Sequence, residues 1–232
     1  MSNVLLSNAG RAFIASTVQQ ADLFLAWGSG LTAWDTTQTG TGTFGVDERI
    51  SVGHPHLDQF VVTSGATTFV LDVDYSVDQP NGALIRIVTG TIAPAASVAF
   101  SYRIQPPPVL PTATGLTSEI GRHPIFNKQF VIPSSVGEIV VGGVAYSLSL
   151  TPTNFLMVEV AFPTDAESSA IIREAGVFLG GTVASGGSIP AGQLYFPLAQ
   201  VLTPGILLLS ENFENIQRTP LSREVFTYVL TF

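Results

Sequence analysis

Two histidines and a carboxylate are the most evident potential metal ligands in this sequence. His54 and His56 lie on either side of Pro55, and Asp58 follows two positions later. In an extended segment the two imidazoles point the same way and could share a metal ion, but a closed structural site needs about four ligands and no third histidine is local. Copies of the chain around a symmetry axis could supply the rest. We interpret the segment as a polar linker and predict no metal and no other cofactor.

Three aspartates form a second group, in the segment LDVDYSVDQPNG. Asp72 and Asp74 fall on one face of a predicted strand, and Asp78 precedes a turn. Oxygen ligands at this spacing could hold calcium, but the dedicated loop pattern, with its glycine and terminal glutamate, is missing. The pattern favours solvent-facing carboxylates that keep the edge of a strand from pairing.

Three glycines match the spacing of a nucleotide-binding loop. Gly40, Gly42 and Gly45 satisfy G-x-G-x-x-G. That function requires a strand immediately before the glycines and a helix immediately after them, so that amide donors face a pyrophosphate. The preceding residues are Thr and Gln, and no helical pattern follows. We predict that residues 36–45 form a loop.

No group of residues indicates catalysis. Gly28-Ser29-Gly30 lacks the first glycine of a G-x-S-x-G nucleophile turn, and no histidine stands beside an obvious serine and aspartate. Arg173 and Glu174 are adjacent opposite charges within an apolar run. An ion pair at a subunit contact, or positions on opposite faces of one strand, explains them better than a catalytic pair. We predict that the protein is not an enzyme.

The composition indicates a chain that assembles. Charged residues make up 11%, against about 25% in ordinary soluble domains. The net charge of −8 argues against a nucleic-acid partner, because neutralising phosphates needs clustered Lys and Arg. No apolar run approaches the roughly 20 residues of a spanning helix, and neither membrane insertion nor a secretory signal is predicted. The absence of Cys excludes disulfides and thiolate chemistry.

Periodicity predicts one short helix followed by strands. Residues 7–22 carry a helical pattern that Ser7 or Asn8 can cap, and a strand follows at 23–27. Residues 116–122 form a short helical turn at best. Alternation returns in three segments, and the chain ends in an alternating strand that ties its C-terminus into a sheet. The three segments are 129–132, 137–141 and 144–150.

The segment from Asn154 to Gly181 organises the chain. Leu156, Val158, Val160 and Phe162 share one face of a predicted strand, and a second apolar run from Ile171 to Leu179 follows a polar turn. The two strands are predicted to form a hairpin at the centre of a sheet.

Turn residues and prolines predict the domain organisation. Alternating segments from about residue 60 to 104, with an Asn81-Gly82 turn, indicate a small β-sandwich. We predict that this sandwich, residues 51–106, is inserted between residues 51–58 and a stiff Pro-rich linker at 105–114. Residues 1–50 and 112–232 would form one discontinuous β-rich domain. The predicted fold class is mainly β.

Several short motifs resemble tail proteins of bacteriophages. The run Arg173-Glu174-Ala175-Gly176-Val177-Phe178 is similar to the EIGVF strand of baseplate-associated and tail-fibre attachment proteins, with Ala175 where Ile is usual. Further motifs of this kind are Gly10-Arg11-Ala12, Leu25-Ala26-Trp27-Gly28-x-Gly30, Trp34-Asp35, Leu116-x-x-Glu119-Ile120-Gly121-Arg122 and Pro152-Thr153-Asn154. The resemblance implies a multimeric structural component of the virion, made in the host cytoplasm, without enzymatic activity.

We therefore expect a structural subunit of a phage tail, at the baseplate or at the attachment of tail fibres. Its partners would be other copies of itself and other tail, baseplate or fibre proteins, which cover apolar faces and unpaired strand edges. The predicted contact residues are Phe155, Phe162, Arg173, Glu174, Val177, Phe178 and Phe232. The alternative is a module that binds a host surface glycan or receptor, for which Tyr75 and Tyr102 are the candidate aromatic residues.

Overall fold

The computed structural model describes residues 5–163, 166, 169–184, 193–219, 221 and 223–232. In this part of the chain the protein is mainly β with a single α-helix, as predicted. None of the helices found there is long and apolar enough to cross a membrane. The first half comprises α1 (Asn8–Gln20), β1 (Leu23–Gly28), a 3-10 turn (Thr32–Trp34), β2 (Gln38–Thr43), β3 (Arg49–Ser51), β4 (Leu57–Ser64), β5 (Thr67–Thr68), β6 (Tyr75–Asp78), β7 (Ala83–Arg86) and β8 (Ser97–Ile104). The second half comprises β9 (Glu119–Pro124), β10 (Asn127–Pro133), β11 (Ile139–Val141), β12 (Val144–Leu148), β13 (Phe155–Ala161), β14 (Ile171–Leu179), β15 (Thr182–Val183), β16 (Phe196–Pro197), a 3-10 turn (Leu198–Gln200), β17 (Val201–Thr203), β18 (Ile206–Gln217) and β19 (Val225–Thr231).

The chain divides into two compact units. Unit 1 comprises Met1–Gly30, Leu110–Glu211 and Ile216–Phe232, whereas unit 2 comprises Leu31–Val109 and Asn212–Asn215. The predicted insertion started at residue 51, but the structure assigns residues 31–50 to unit 2 as well. The reason is strand pairing, because β2 pairs with β8 and β3 pairs with β7.

The N-terminal helix α1 begins where the sequence predicts. The hydroxyl of Ser7 accepts a hydrogen bond from the backbone N–H of Gly10 at 3.1 Å, which satisfies one of the free donors of the first turn. Ala15 and Val18 are buried, whereas Phe13 is 74% exposed. The apolar face of α1 therefore turns only partly inward.

The first sheet of unit 1 is built around β1. Its strand order is β16-β9-β1-β14-β18, and all six residues of β1 are buried. Both neighbours of β1 are antiparallel to it. The prediction of a strand at 23–27 is confirmed. The prediction of a helical turn at 116–122 is wrong, because this segment leads into β9 and pairs with β1 through main-chain hydrogen bonds.

The second sheet of unit 1 has the order β11-β12-β10-β13-β19. The C-terminal strand β19 pairs with β13 along its whole length, from Phe155 opposite Thr231 to Ala161 opposite Val225. Beyond it, the N–H of Phe232 donates to the carbonyl of Asn154 at 3.0 Å. The prediction that a terminal strand ties the C-terminus into a sheet is confirmed.

The predicted central hairpin does not form. β13 pairs with β10 and β19 in the second sheet, while β14 pairs with β1 in the first sheet. The two strands therefore belong to different sheets. The physical reason lies in β14, where seven successive residues are buried. Such a strand pairs on both edges, and β1 and β18 occupy the two edges of β14, so β13 cannot lie beside it.

Unit 2 contains a four-stranded sheet and a three-stranded sheet. Their strand orders are β2-β8-β4-β5 and β3-β7-β6. A single hydrophobic cluster takes residues from both sheets, and the inserted β-sandwich stays a prediction. The buried members are Phe44, Ile50, Leu57, Phe60, Val62, Tyr75, Leu84, Ile92, Val98, Phe100 and Tyr102.

The glycines of the G-x-G-x-x-G match have a packing role in unit 2. Residues 38–43 form β2 rather than the predicted loop. A Cβ at Gly40 would lie 2.6 Å from the Phe100 ring, and a Cβ at Gly42 would lie 2.6 Å from Ile50. The two glycines therefore let core side chains lie directly against the β2 backbone, which explains their spacing without a nucleotide.

The turn between β6 and β7 agrees with the sequence. The two strands pair antiparallel with Asp78 opposite Ala83, and Gly82 has a φ of 60°. This left-handed conformation suits glycine, so the hairpin predicted from Asn81-Gly82 is confirmed. Residues 105–114 contain neither helix nor strand.

Candidate functional site

Most of the predicted contact residues lie inside unit 1. Phe162, Arg173, Glu174, Val177 and Phe178 are all buried by the chain itself. Side chains enclosed in this way have no surface to offer to a partner, so their contacts in the structure are internal ones. The apolar pattern that suggested an interface marks the core of a two-sheet unit.

Glu174 binds backbone amides rather than a cation among its described contacts. Its carboxylate accepts hydrogen bonds from the N–H groups of Thr117 at 2.9 Å, Ser118 at 2.6 Å and Gly30 at 3.3 Å. These donors belong to two separate loops that follow β1 and precede β9. A buried carboxylate satisfied by three amides fixes both loops beside the first half of β14.

Arg173 lies on the opposite face of β14 from Glu174. Its guanidinium donates to the carbonyl of Ser29 at 2.7 Å. The two neighbours thus have different partners, which agrees with the interpretation of opposite faces of one strand. Both hold the same turn after β1, one through Ser29 and the other through Gly30.

Arg122 was not among the predicted contact residues, but it is a buried charged residue of β9 with several partners. Its guanidinium makes a two-point ion pair with Glu119, with nitrogen–oxygen distances of 2.5 and 2.9 Å. It also donates to the carbonyl of Pro204 and lies 3.9 Å above the ring of Phe178. Residues of three resemblance motifs therefore meet in one sheet, on β9, β1 and β14.

An aromatic stack joins the two sheets of unit 1. The ring centroids of Trp27 and Phe162 are 3.4 Å apart with nearly parallel planes, and Phe226 meets Phe162 edge-on. On another side, the guanidinium of Arg218 lies 4.7 Å from Trp27. His123 also meets Phe162 edge-on and is buried, which lowers its pKa. Phe162 is therefore a core residue.

Phe155 and Phe232 are the two predicted contact residues that remain half-buried. The ring of Phe155 packs against Tyr146, with centroids 6.0 Å apart. The carbonyl of Phe232 accepts a hydrogen bond from Arg11 at 3.0 Å. A contact between these residues and a partner stays a prediction.

The potential metal ligands do not assemble into a site. The described residues contain no group of three or more His, Asp or Glu side chains that could hold a metal ion. Asp58 instead accepts a hydrogen bond from Gln105 at 2.9 Å. His56 has a φ of 56°, so residues 54–58 are not the extended segment on which the shared-metal hypothesis relied.

Asp74 is a structural residue of unit 2 and not a solvent-facing one. Its carboxylate accepts hydrogen bonds from the N–H of Thr91 at 2.7 Å, the N–H of Val70 at 2.8 Å and the Thr91 hydroxyl at 2.8 Å. These bonds lower the pKa of Asp74. The strand-edge role predicted for it is therefore wrong, because residues 69–74 form a hydrogen-bonded loop.

The neighbouring aspartates differ from Asp74. Asp78 pairs with Arg49 at 2.6 Å, and this bond, together with a hydrogen bond from Asn81, lowers the pKa of Asp78. Asp72 is exposed and has a φ of 62°. The three carboxylates therefore do not converge on a calcium ion.

The candidate aromatic residues for a receptor site are also buried. Tyr75 and Tyr102 both belong to the hydrophobic cluster of unit 2. The hydroxyl of Tyr75 donates to the carbonyl of Phe60 at 3.0 Å. The glycan hypothesis therefore cannot rest on these two rings.

One region of unit 1 exposes several large apolar side chains. They lie on β10 and β12 and in the segments that follow each strand, and one lies on β11. These residues are Ile132, Val136, Val140, Val144, Leu148 and Leu150, and together they are called the β10–β12 apolar surface. The strand pairing puts Val144 and Leu148 on one face of the sheet, together with Val131, and puts Ile132 and Val140 on the opposite face. Neighbouring exposed apolar side chains on one sheet face, such as those of Val144 and Leu148, are typical of a protein–protein contact.

Comparison with protein families identifies the family of this chain. The family model of the baseplate wedge 3 tail fiber network component matches residues 95–232, which is more than half of the chain. The matched part includes β9, β14 and the β10–β12 apolar surface. A comparison with curated protein sequences gives no significant match. The chain therefore belongs to the baseplate wedge 3 tail fiber network component family, and it is a structural component of a bacteriophage tail.

Proposed function

We propose that the chain is a non-enzymatic assembly subunit of the phage baseplate, located where tail fibres join the baseplate. It is made in the host cytoplasm and enters the virion with other copies of itself and with other tail proteins. The family match over residues 95–232 is the observation that carries this proposal. The low charged fraction of 11% supports it, because surfaces poor in charge lose little hydration when a neighbour covers them.

The β10–β12 apolar surface is the part of unit 1 that we assign to subunit contacts. Val144 is 44% exposed and Leu148 is 58% exposed, although both lie within the regular strand β12 and on the same face of the sheet. Strand residues that leave this much apolar area in water are stabilised when another subunit removes the area from solvent. The contact residues that we propose therefore differ from those predicted from the sequence, which lie on or beside β13, β14 and β19.

Single charged substitutions test this assignment. Val144→Lys and Leu148→Lys place a cation on the proposed contact, while Val46→Lys, at a fully exposed valine of unit 2, is the matched control. Mass photometry of each purified protein measures assembly, and a complementation assay with a phage that lacks the gene measures incorporation into particles. We expect both β12 variants to reduce assembly and incorporation, whereas the control behaves like the unmodified chain. Normal incorporation of both β12 variants would contradict the assigned contact, and absence of the unmodified chain from particles would contradict the function.

A further inference from the structure

Unit 2 contains a polar pocket that the assembly function does not use. Its volume is about 620 Å³, within the range of small-ligand sites. The lining comes from the 3-10 turn at Thr32–Trp34, the start of β4, the end of β8, the proline run 106–108 and residues 212–215. All of these segments belong to unit 2.

A backbone irregularity directs one side chain toward this pocket. The register of β4 against β8 shifts between Asp58 and Val61. The shift lets Leu57 and Phe60 both reach the core, and it leaves Gln59 exposed with a φ of 49°. A bulge with a left-handed non-glycine residue is a costly arrangement that occurs often beside binding sites. Gln59 therefore presents its amide at the pocket from a fixed backbone.

A rigid wall stands at another side of the pocket. Pro106, Pro107 and Pro108 have no N–H groups and their φ angles are fixed by their rings. The amide of Asn212 donates to the carbonyl of Pro107 at 3.0 Å, which ties the segment 212–215 to this wall. The pocket is therefore built largely before any ligand arrives, so that binding costs little conformational entropy.

The charges of the pocket exclude anionic ligands. The lining carries three carboxylates, on Asp35, Asp58 and Glu214, and one guanidinium, on Arg103. That guanidinium donates to the carbonyl of Asp35 at 2.5 Å and is thus partly engaged. An excess of negative charge repels phosphates and nucleic acids.

Carboxylates and amides together suit vicinal hydroxyl groups. An ionised carboxylate such as that of Asp58 accepts hydrogen bonds at two oxygens, and the described contact with Gln105 uses only one of them. The side-chain amides of Gln59 and Asn215 both donate and accept. The proline rings and the half-buried Phe213 offer apolar surface to the C–H face of a sugar.

We propose that this pocket binds a neutral saccharide. A sugar hydroxyl pair donates to the Asp58 carboxylate, the amides of Gln59 and Asn215 hold further hydroxyls, and the ring lies against the proline wall. The site gives a baseplate component a means of contacting uncharged glycans of a cell surface. It differs from the receptor site predicted in the sequence, because Tyr75 and Tyr102 are not part of it.

The full chain is tested against glucose, galactose, mannose, rhamnose and N-acetylglucosamine and their neutral oligomers, with saturation-transfer NMR at millimolar concentration. Gln59→Gly removes the amide at a position where glycine relieves the left-handed strain, so the variant remains folded. Asn215→Ala removes the second amide at an exposed position. Gln79→Ala, at an exposed glutamine of unit 2 outside the pocket, is the control.

We expect at least one saccharide to bind, and each pocket variant to weaken its affinity by about tenfold, the value of one lost hydrogen bond. The control should stay within about twofold of the unmodified chain. Failure of every saccharide to bind, or equal binding by the pocket variants, would overturn the proposal. Binding of a tetralysine peptide in place of any saccharide would also overturn it, since the occupant would then be a basic peptide.

Discussion

Glu174 fills the space into which a side chain at position 28 would project. A Cβ built on Gly28 would lie 2.3 Å from the Oε1 atom of Glu174 and 2.7 Å from the carbonyl of Ser118. Position 28, at the end of β1, is thus glycine because any larger residue would occupy the space of the Glu174 carboxylate. Its absence of a side chain lets Glu174 reach the amides of both neighbouring loops.

Gly28→Ala should destabilise unit 1 by about 2 kcal/mol, because the added methyl group displaces either Glu174 or the loop that it holds. Gly115→Ala is the control, since a Cβ there meets no atom within 4 Å. The measurement is urea unfolding followed through Trp27 in a Trp34→Phe background, which leaves a single tryptophan, in unit 1. Equal midpoints for the two alanine variants would show that Glu174 and its loop move aside without cost.

Glu174→Gln should cost about 2 kcal/mol of unfolding free energy in the same assay. The substitution keeps the size of the side chain but turns one acceptor oxygen into a donor that faces the amides of Thr117 and Ser118. Glu138→Gln makes the same chemical change at an exposed position and should be neutral. The prediction fails if both variants unfold at the urea concentration of the parent.

Arg122→Met should destabilise unit 1 by about 3 kcal/mol. The thioether replaces the apolar stem but leaves Glu119 without the cation that it contacts at two points, and this carboxylate is largely buried. Arg223→Met, at an exposed position, should change the stability by less than about 0.5 kcal/mol. A double-mutant cycle with Glu119→Gln then measures the coupling, and additive effects of the two substitutions would contradict the pairing.

Acid should weaken unit 2 through Asp74. The folded pKa of Asp74 lies below its ordinary value of 3.8, so its contribution to stability is complete above pH 3.8. Below that pH Asp74 is protonated in the unfolded chain but still ionised in the folded chain. The contribution of Asp74 to stability is then lost as the pH falls through its folded pKa. Asp74→Asn should therefore lower the stability at pH 7 and make its decline in acid less steep.

Trp34 fluorescence in a Trp27→Phe background reports on unit 2, and urea midpoints at a series of pH values give the slope. Asp72→Asn is a matched control, because Asp72 is exposed and asparagine tolerates its left-handed φ. An unchanged acid slope in Asp74→Asn would assign the loss to other carboxylates, among which Asp78 and Glu48 also have lowered pKa values.

The sequence predicted strands better than it predicted their partners. Alternation located β10 and β19, because one buried face imposes a period of two on a strand, and a short continuous apolar run located β1, which is buried throughout. The same alternation cannot say which strand lies next to which, so β13 and β14 were joined into a hairpin although they belong to different sheets. Tertiary pairing alone decides between these arrangements.

Other features of the structure could not be predicted from the sequence, each for its own physical reason. β2 has no alternating apolar pattern because two of its positions are glycines, Gly40 and Gly42. The side chains of Phe100 and Ile50 pack directly against the backbone at these positions. The contact residues were chosen from apolar runs, and a run such as that of β14 has the same composition whether it lies in a core or in an interface. The pocket of unit 2 is lined by segments about a hundred positions apart in the chain, and no local sequence pattern predicts that they come together.

The short segment Asn212–Asn215 is the last part of unit 2 to be synthesised. It follows Val109 in the chain only after the whole stretch Leu110–Glu211 of unit 1. At a synthesis rate of about 5–20 residues per second, unit 2 waits roughly 5–20 s on the ribosome before its final piece emerges. A fragment ending near residue 109 would accordingly resemble this nascent intermediate, with one wall of its pocket missing.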